Sequence, residues 1–264
     1  MRDWPLAGKT AFVTASSRYL GAALATALAR AGARTAIHYY RSADQALALV
    51  QKLRAEGLEA EAFGADGRNP DELRRAADDV VGRFGGVDIL VNNLGPFSDL
   101  PFLKLPEAQW DWILNTNLKA VYVLTQQLAP GMIERGWGRL VNISAVSAFI
   151  RSQSIYGLAK AALIHLTEAL ALELAPQVSV NAIAPGQIED SELIDEIDPK
   201  LKGIMRDESP LKRLVTYREI AEVVLLLCRE PFASMTGQTL TLDAGWSLPK
   251  WNYSLGPVEW EDKK

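Results

Sequence analysis

Short apolar, β-branched runs alternate along this chain with longer segments whose apolar positions recur at helical spacing. Residues 10–14 (TAFVT) read as a first strand, and the alanine-rich stretch 20–31, closed by Gly32, as a helix. A second strand is expected over 34–39. Ser42 then stands as an N-cap before a helix at 43–56, with Gly57 just past its end. Residues 59–63 form a third strand. Asn69 caps the next helix with Pro70 at its first position, and Gly85-Gly86 stops that helix after Phe84. A nearly continuous apolar run at 87–91 is a fourth strand, as expected where both faces of a sheet are covered. Residues 109–133 read as mostly helical, 140–143 as a fifth strand and 156–174 as a long apolar helix. Strand 178–183, a helix at 217–227 and a last strand at 239–242 complete the pattern.

Strand and helix in regular alternation imply a parallel sheet of about seven strands with helices on both faces. At 264 residues the whole chain fits one α/β domain. Two regions stand apart. Residues 187–213 are polar, are broken by Pro199, Gly203 and Pro210, and carry six acids between Glu189 and Asp198. They follow a strand end, where lids over open α/β sheets arise. The tail 249–264 carries Trp251, Tyr253 and Trp260, which is aromatic for a disordered end and fits docking onto a neighbouring subunit.

Charge and composition narrow the function. A net charge of −4 gives no support for binding nucleic acid or anionic membrane. With one cysteine, Cys228, and two histidines, His38 and His165, neither an internal disulfide nor a zinc cluster is expected. The sequence shows no signal peptide and no run near the roughly 20 apolar residues of a membrane span, so a cytoplasmic protein is the expectation.

The sharpest chemical feature is Tyr156-Gly157-Leu158-Ala159-Lys160. One helical turn places the phenol and the ammonium on the same face. A positive charge beside a phenol favours the phenolate, so the pair is expected to work as a proton donor near neutral pH.

The order of motifs resembles the short-chain dehydrogenase/reductase family from Lys9 to about Ser247. The matching pieces are Thr14 through Gly21 after the first strand, Asp66 after the third, and Asn92-Asn93-Leu94-Gly95 after the fourth. They continue with Asn117 inside a helix, Tyr156 with Lys160, and Asn181 through Gly186 (NAIAPG) after the sixth strand. The resemblance implies a single-domain, Rossmann-type doubly wound fold and a nicotinamide dinucleotide cofactor. It assigns cofactor contacts to Thr14, Ser16, Ser17, Arg18, Tyr19, Leu20 and Gly21, to Tyr40, Arg41 and Ser42, and to Asp66 and Gly67 near the adenine. Asn93, Leu94 and Gly95, together with Pro185, Gly186 and Ile188 near the nicotinamide, complete that set. The family has glycines where this chain has Ala15 and Tyr19, and Asp190 stands near the usual threonine after Gly186.

Where a binder of NADH carries an acid, this chain reads His38-Tyr39-Tyr40-Arg41-Ser42. Arg18 and Arg41 suit a 2′-phosphate, so NADP(H) is the expected cofactor. The segment is also similar to that of pteridine reductases.

The resemblance makes Tyr156 the acid, Lys160 its partner and the ribose contact, and Asn117 a support for a proton-relay water. The family's catalytic serine falls on Ala145, and Ser144 is the expected substitute, with Ser147 and Ser152 as further possibilities. The expected activity is reduction of a small-molecule carbonyl. The alternative is a catalytically impaired relative that binds a dinucleotide or a partner, given the changes at 15, 19, 145 and 190. The acidic lid argues against polyanionic substrates; pteridine, ketone, sugar and quinone remain open. In relatives, the helix starting at Tyr156 and the one at 110–128 form a subunit interface, which implies a homodimer or homotetramer.

Overall fold

The computed structural model describes residues 5–150, 154–192 and 200–248. Seven parallel strands form one sheet in the order β3-β2-β1-β4-β5-β6-β7. They are β1 (Thr10–Val13), β2 (Arg34–Tyr39), β3 (Ala60–Gly64), β4 (Ile89–Asn92), β5 (Gly138–Ile143), β6 (Val178–Pro185) and β7 (Thr239–Leu242). The order reverses between β1 and β4, where the C-terminal strand ends open a crevice.

Side-chain alternation along the strands divides the core in two. Ala11, Val13, Ile37, Val91 and Ile143 face α1 (Tyr19–Arg30), α2 (Ala43–Ala55) and a late helix, Tyr217–Leu227. Phe12, Ala36, Leu90, Leu140 and Val180 face α3 (Pro70–Phe84) and two further helices, α5 (Ala120–Glu134) and α6 (Ile155–Leu174). The doubly wound architecture expected from the strand–helix alternation is therefore the observed one.

The structure refines several expected elements. The helical stretch expected over 109–133 is interrupted: α4 (Glu107–Leu114) passes into a π-turn at Asn115–Lys119 before α5 begins. The polar segment after β6 contains α7 (Leu201–Glu208), and Tyr217–Leu227 is α8. Asn69 caps α3 as expected, accepting from the amides of Asp71 and Glu72, and Gly85 ends it at φ 81°. Ser42 precedes α2 without capping it, because its hydroxyl pairs with Ser17 Oγ at 2.6 Å. Contrary to the expectation from composition, α6 is long and apolar enough to cross a membrane. Its buried Leu163, Thr167, Leu170 and Leu174 instead pack it onto the sheet as a core helix. The aromatic tail, Ser152 and residues 193–199 of the expected lid lie outside the described residues.

A chain of buried side-chain hydrogen bonds ties the strand ends to α6. Asn92 Nδ2 donates to Asn142 Oδ1 at 2.8 Å, Asn142 Nδ2 donates to Thr167 Oγ1 at 2.9 Å, and Thr167 donates to the Leu163 carbonyl at 2.8 Å. All three side chains are nearly inaccessible, so breaking the chain leaves a buried amide without an acceptor. Thr167→Val conserves shape and removes that acceptor. It is expected to lower unfolding stability by about 1–3 kcal/mol in urea denaturation, and an unchanged midpoint would refute this role.

Candidate functional site

A cleft of about 820 Å³ lies over the C-terminal ends of the strands. The turn after β1 forms one wall and owes its shape to left-handed backbone at Ala15 (φ 49°) and Tyr19 (φ 54°). For residues with a Cβ this conformation costs roughly 1–2 kcal/mol each, so neighbouring contacts must hold it. Thr14 Oγ1 accepts from the amides of Asn93 at 2.9 Å and Leu94 at 3.0 Å, and Asn93 Nδ2 donates to the Ala15 carbonyl at 3.1 Å. Gly21 is required here, because a Cβ would collide with that same carbonyl oxygen and approach Asn93 Nδ2 to 2.7 Å.

His38 was not expected to take part, yet it is central to this wall. Its Nδ1 accepts from the Ala15 amide at 2.9 Å, which puts the ring proton on Nε2, 3.1 Å from the Ala65 carbonyl. Ser16 closes the network: its hydroxyl donates to the Val13 carbonyl at 2.7 Å and accepts from the His38 amide at 3.0 Å. Thr14 and Ser16, expected as cofactor contacts, are therefore buried supports of the turn and do not line the cleft. Ser17, Arg18, Tyr19, Leu20 and Gly21 do line it, with Tyr40, Arg41 and Ser42 beside them.

The adenosine end carries three arginines, of which sequence reading found two. Arg68 forms an ion pair with Asp66 at 2.6 Å and donates to Tyr40 Oη at 3.0 Å. The Tyr40 ring lies 5.0 Å from the Arg41 guanidinium and 5.5 Å from that of Arg68, and Arg18 lies 4.9 Å from the Tyr19 ring. The Arg68 guanidinium holds the Asp66 carboxyl below the usual carboxylate range. No spacing rule marks Arg68, since it follows Asp66-Gly67 as an ordinary surface residue would.

Tyr156 and Lys160 stand at the other end, joined in the cleft by Asn93, Leu94, Gly95, Pro185, Gly186 and Ile188. The ammonium nitrogen is 5.4 Å from the phenol ring centre and donates to the Ile143 carbonyl at 2.8 Å. Burial pushes the phenol up to about 12 and the ammonium down to about 7. Desolvation thus acts against the expected lowering of the phenol by its lysine.

Asn117 falls in the π-turn and is fully buried; its Nδ2 donates to the carbonyls of Pro96 and Ile113, and its Oδ1 has no partner among the described residues. A Cβ on Gly95 would overlap that oxygen and come within 2.9 Å of Lys160 Nζ, so both groups converge on one small space. Ser144, the expected substitute serine, donates its proton to the Lys160 carbonyl at 3.0 Å. That bond makes it a tie between β5 and α6. Ala145 lines the cleft beside it. Asp190 accepts from the Tyr217 amide at 2.7 Å and so anchors the start of α8.

The comparisons agree with this geometry. The family model described as enoyl-(acyl carrier protein) reductase matches residues 14–247. The chain is 35% identical over 240 residues to the 3-oxoacyl-[acyl-carrier-protein] reductase of Staphylococcus epidermidis, covering 90% of this chain and 98% of that one. Among solved structures, a short-chain dehydrogenase/reductase from Serratia marcescens superposes with a TM-score of 0.84 at 32% identity, covering 92% of this chain and 99% of that one. A gluconate 5-dehydrogenase from Burkholderia cenocepacia, in complex with NADP and tartrate, superposes with a TM-score of 0.87 at 29% identity, covering 94% and 98%.

His38 generates a test. Its burial lowers its basicity to about 4, against 6.5 when unfolded. Between those values the unfolded chain takes up a proton that the folded chain refuses. Stability is therefore complete above about pH 6.5 and is lost as pH falls toward 4, by about 3 kcal/mol. His38→Asn is expected to flatten this part of the stability profile in denaturant titrations at stepped pH. Parallel wild-type and variant profiles would refute the assignment.

Proposed function

The chain belongs to the short-chain dehydrogenase/reductase family, and we propose that within it the protein is an NADPH-dependent reductase of a small-molecule carbonyl. The observation that carries this reading is the convergence of Tyr156, Lys160 and Asn117 at one end of a cleft whose other end holds three arginines. The residues fit a phosphorylated dinucleotide: Ser17 to Gly21 line the cleft at the start of α1, where a helix N-terminus favours an anion, and guanidinium groups suit a 2′-phosphate. Bound there, the nicotinamide supplies the hydride.

The chain's own residues do the rest. Arg18, Arg41 and Arg68 would hold the adenosine phosphate, and the amides of the turn after β1, at the start of α1, would face the pyrophosphate. Lys160 Nζ would bind the nicotinamide ribose, with Pro185, Gly186 and Ile188 flanking the ring. Tyr156 would protonate the substrate oxygen as the carbonyl carbon accepts hydride. A phenol pushed up to about 12 is fully protonated at neutral pH and remains far more acidic than the alcohol it would form. Asn117 Oδ1, buried and without a partner among the described residues, would hold a water between itself and Lys160 and so return the proton. Ser144 enters this scheme as a positioning residue of Lys160.

We further propose a single catalytic domain with residues 187–213 as its lid, in a cytoplasmic homodimer or homotetramer. Half-exposed Trp110, Tyr122 and Leu158 on α4, α5 and α6 support a subunit contact there.

Tyr156→Phe is expected to lower turnover by at least about 100-fold while the dissociation constant for NADPH, read from nicotinamide fluorescence, stays put. Near-normal turnover would remove Tyr156 from the role. NADPH binding without turnover of any carbonyl by the wild type would favour the impaired-relative reading, which the alanine at 145 motivates. The double variant Arg18→Ala/Arg41→Ala is expected to weaken NADPH binding by about tenfold or more and leave NADH binding unchanged. Equal kcat/KM with the two cofactors in the wild type would refute the phosphate site.

A further inference from the structure

We infer that the substrate is a neutral, aromatic ring-bearing ketone, an inference that rests on the carbonyl-reductase reading and deepens it. The catalytic end of the cleft differs sharply from the adenosine end. Arg18, Arg41, Asp66 and Arg68 all line the latter, and Lys160 is the one charged side chain that lines the former among the described residues. Lys160 is buried and spends one of its three donors on the Ile143 carbonyl. Two of the described lid acids have partners, Glu189 in Arg206 at 2.7 Å and Asp190 in the Tyr217 amide. Among the described residues, a carboxylate or phosphate brought to Tyr156 would lose its water with Lys160 as the one lining cation to offset that cost.

What the catalytic end does present is aromatic surface. The Phe97 ring meets the Tyr156 ring edge to face, with centroids 5.2 Å apart and planes at 70°. Phe97 is nonetheless 47% exposed, and Trp112, which lines the cleft from α4, is 39% exposed. Rings of this size left open beside a proton donor are unfilled contact area, the mark of a site that buries an apolar group. Ala145 adds a methyl where the family carries a hydroxyl, making the wall beside Tyr156 more apolar still. A planar aryl group would lie against Trp112 and Phe97 with its carbonyl oxygen toward Tyr156. The ketone carbon would gain the hydride that NADPH supplies and the oxygen would gain the Tyr156 proton, giving a secondary alcohol and NADP.

The test compares propiophenone with two anionic carbonyl compounds, acetoacetyl-coenzyme A and ketogluconate, using NADPH. Propiophenone is expected to show kcat/KM higher by about tenfold or more than either anion. Trp112→Ala and Phe97→Leu are each expected to raise its KM by about fivefold or more at unchanged NADPH affinity. Higher kcat/KM for either anion, or an unchanged KM in both variants, overturns the inference. Calorimetric binding of propiophenone to the NADPH-loaded protein separates this inference from the reading beneath it. If no carbonyl is turned over, the reductase reading fails, while saturable binding weakened by Trp112→Ala still supports the neutral aromatic site. Absence of binding overturns that site whatever the turnover.

Discussion

The geometry of the site depends on a reciprocal clasp between the end of β5 and one turn of α6. Lys160 Nζ donates to the carbonyl of Ile143, and Ser144, the next residue, donates its hydroxyl to the carbonyl of Lys160. Each partner fixes the other: the strand end cannot slide without exposing the ammonium, and the helix cannot rotate without stripping the hydroxyl of its acceptor. Both donors are buried, so either failure leaves an unsatisfied polar group in a low-dielectric interior. The Asn92–Asn142–Thr167 chain braces the same junction from the strand side. Tyr156, one turn before Lys160, is set by this clasp as firmly as the lysine itself.

The opposite wall is built on a different principle. Two residues with side chains occupy backbone conformations that favour glycine, and at Ala15 hydrogen bonds to His38 Nδ1 and from Asn93 Nδ2 offset that strain. The side chain of Tyr19 points its bulk at the cleft, 43% exposed and in contact with Arg18, so the departure from glycine adds aromatic surface and a cation neighbour to the adenosine end. The loop thus gives up conformational ease and gains recognition groups.

Much of this was legible in the sequence, for reasons that differ by feature. The strands, the caps of α3 and the Tyr156–Lys160 pair follow from local rules, because period, proline position and turn glycine act over a few residues. The candidate positions around the cleft followed from the family resemblance. What the sequence hid is what folding brings together over distance. His38 reads as one more residue of β2 until Ala15 and Ala65 are seen against its two nitrogens. Arg68 reads as a surface charge until Tyr40 and Asp66 meet it. Ser144 reads from its spacing as a substitute for the family's serine, and only the fold shows that it lines the cleft while its hydroxyl donates to the Lys160 carbonyl.

The Tyr156–Lys160 pair shows why spacing alone misjudges electrostatics. Two ionisable groups one turn apart invite the inference that the charge of one tunes the other. In the folded chain Lys160 is buried and Tyr156 partly buried, and desolvation penalises both charged forms, the phenolate and the ammonium. With the ammonium brought down to about 7 by burial, Lys160 gives up its charge more readily than a solvated lysine. A ligand group that accepts a hydrogen bond from Nζ restores the charged form, so ligand binding and proton uptake at Lys160 are two sides of one equilibrium. The positive charge that would steady a phenolate is consequently fullest when the cleft is filled, and the acid–base character of the pair belongs to the complex more than to the empty fold.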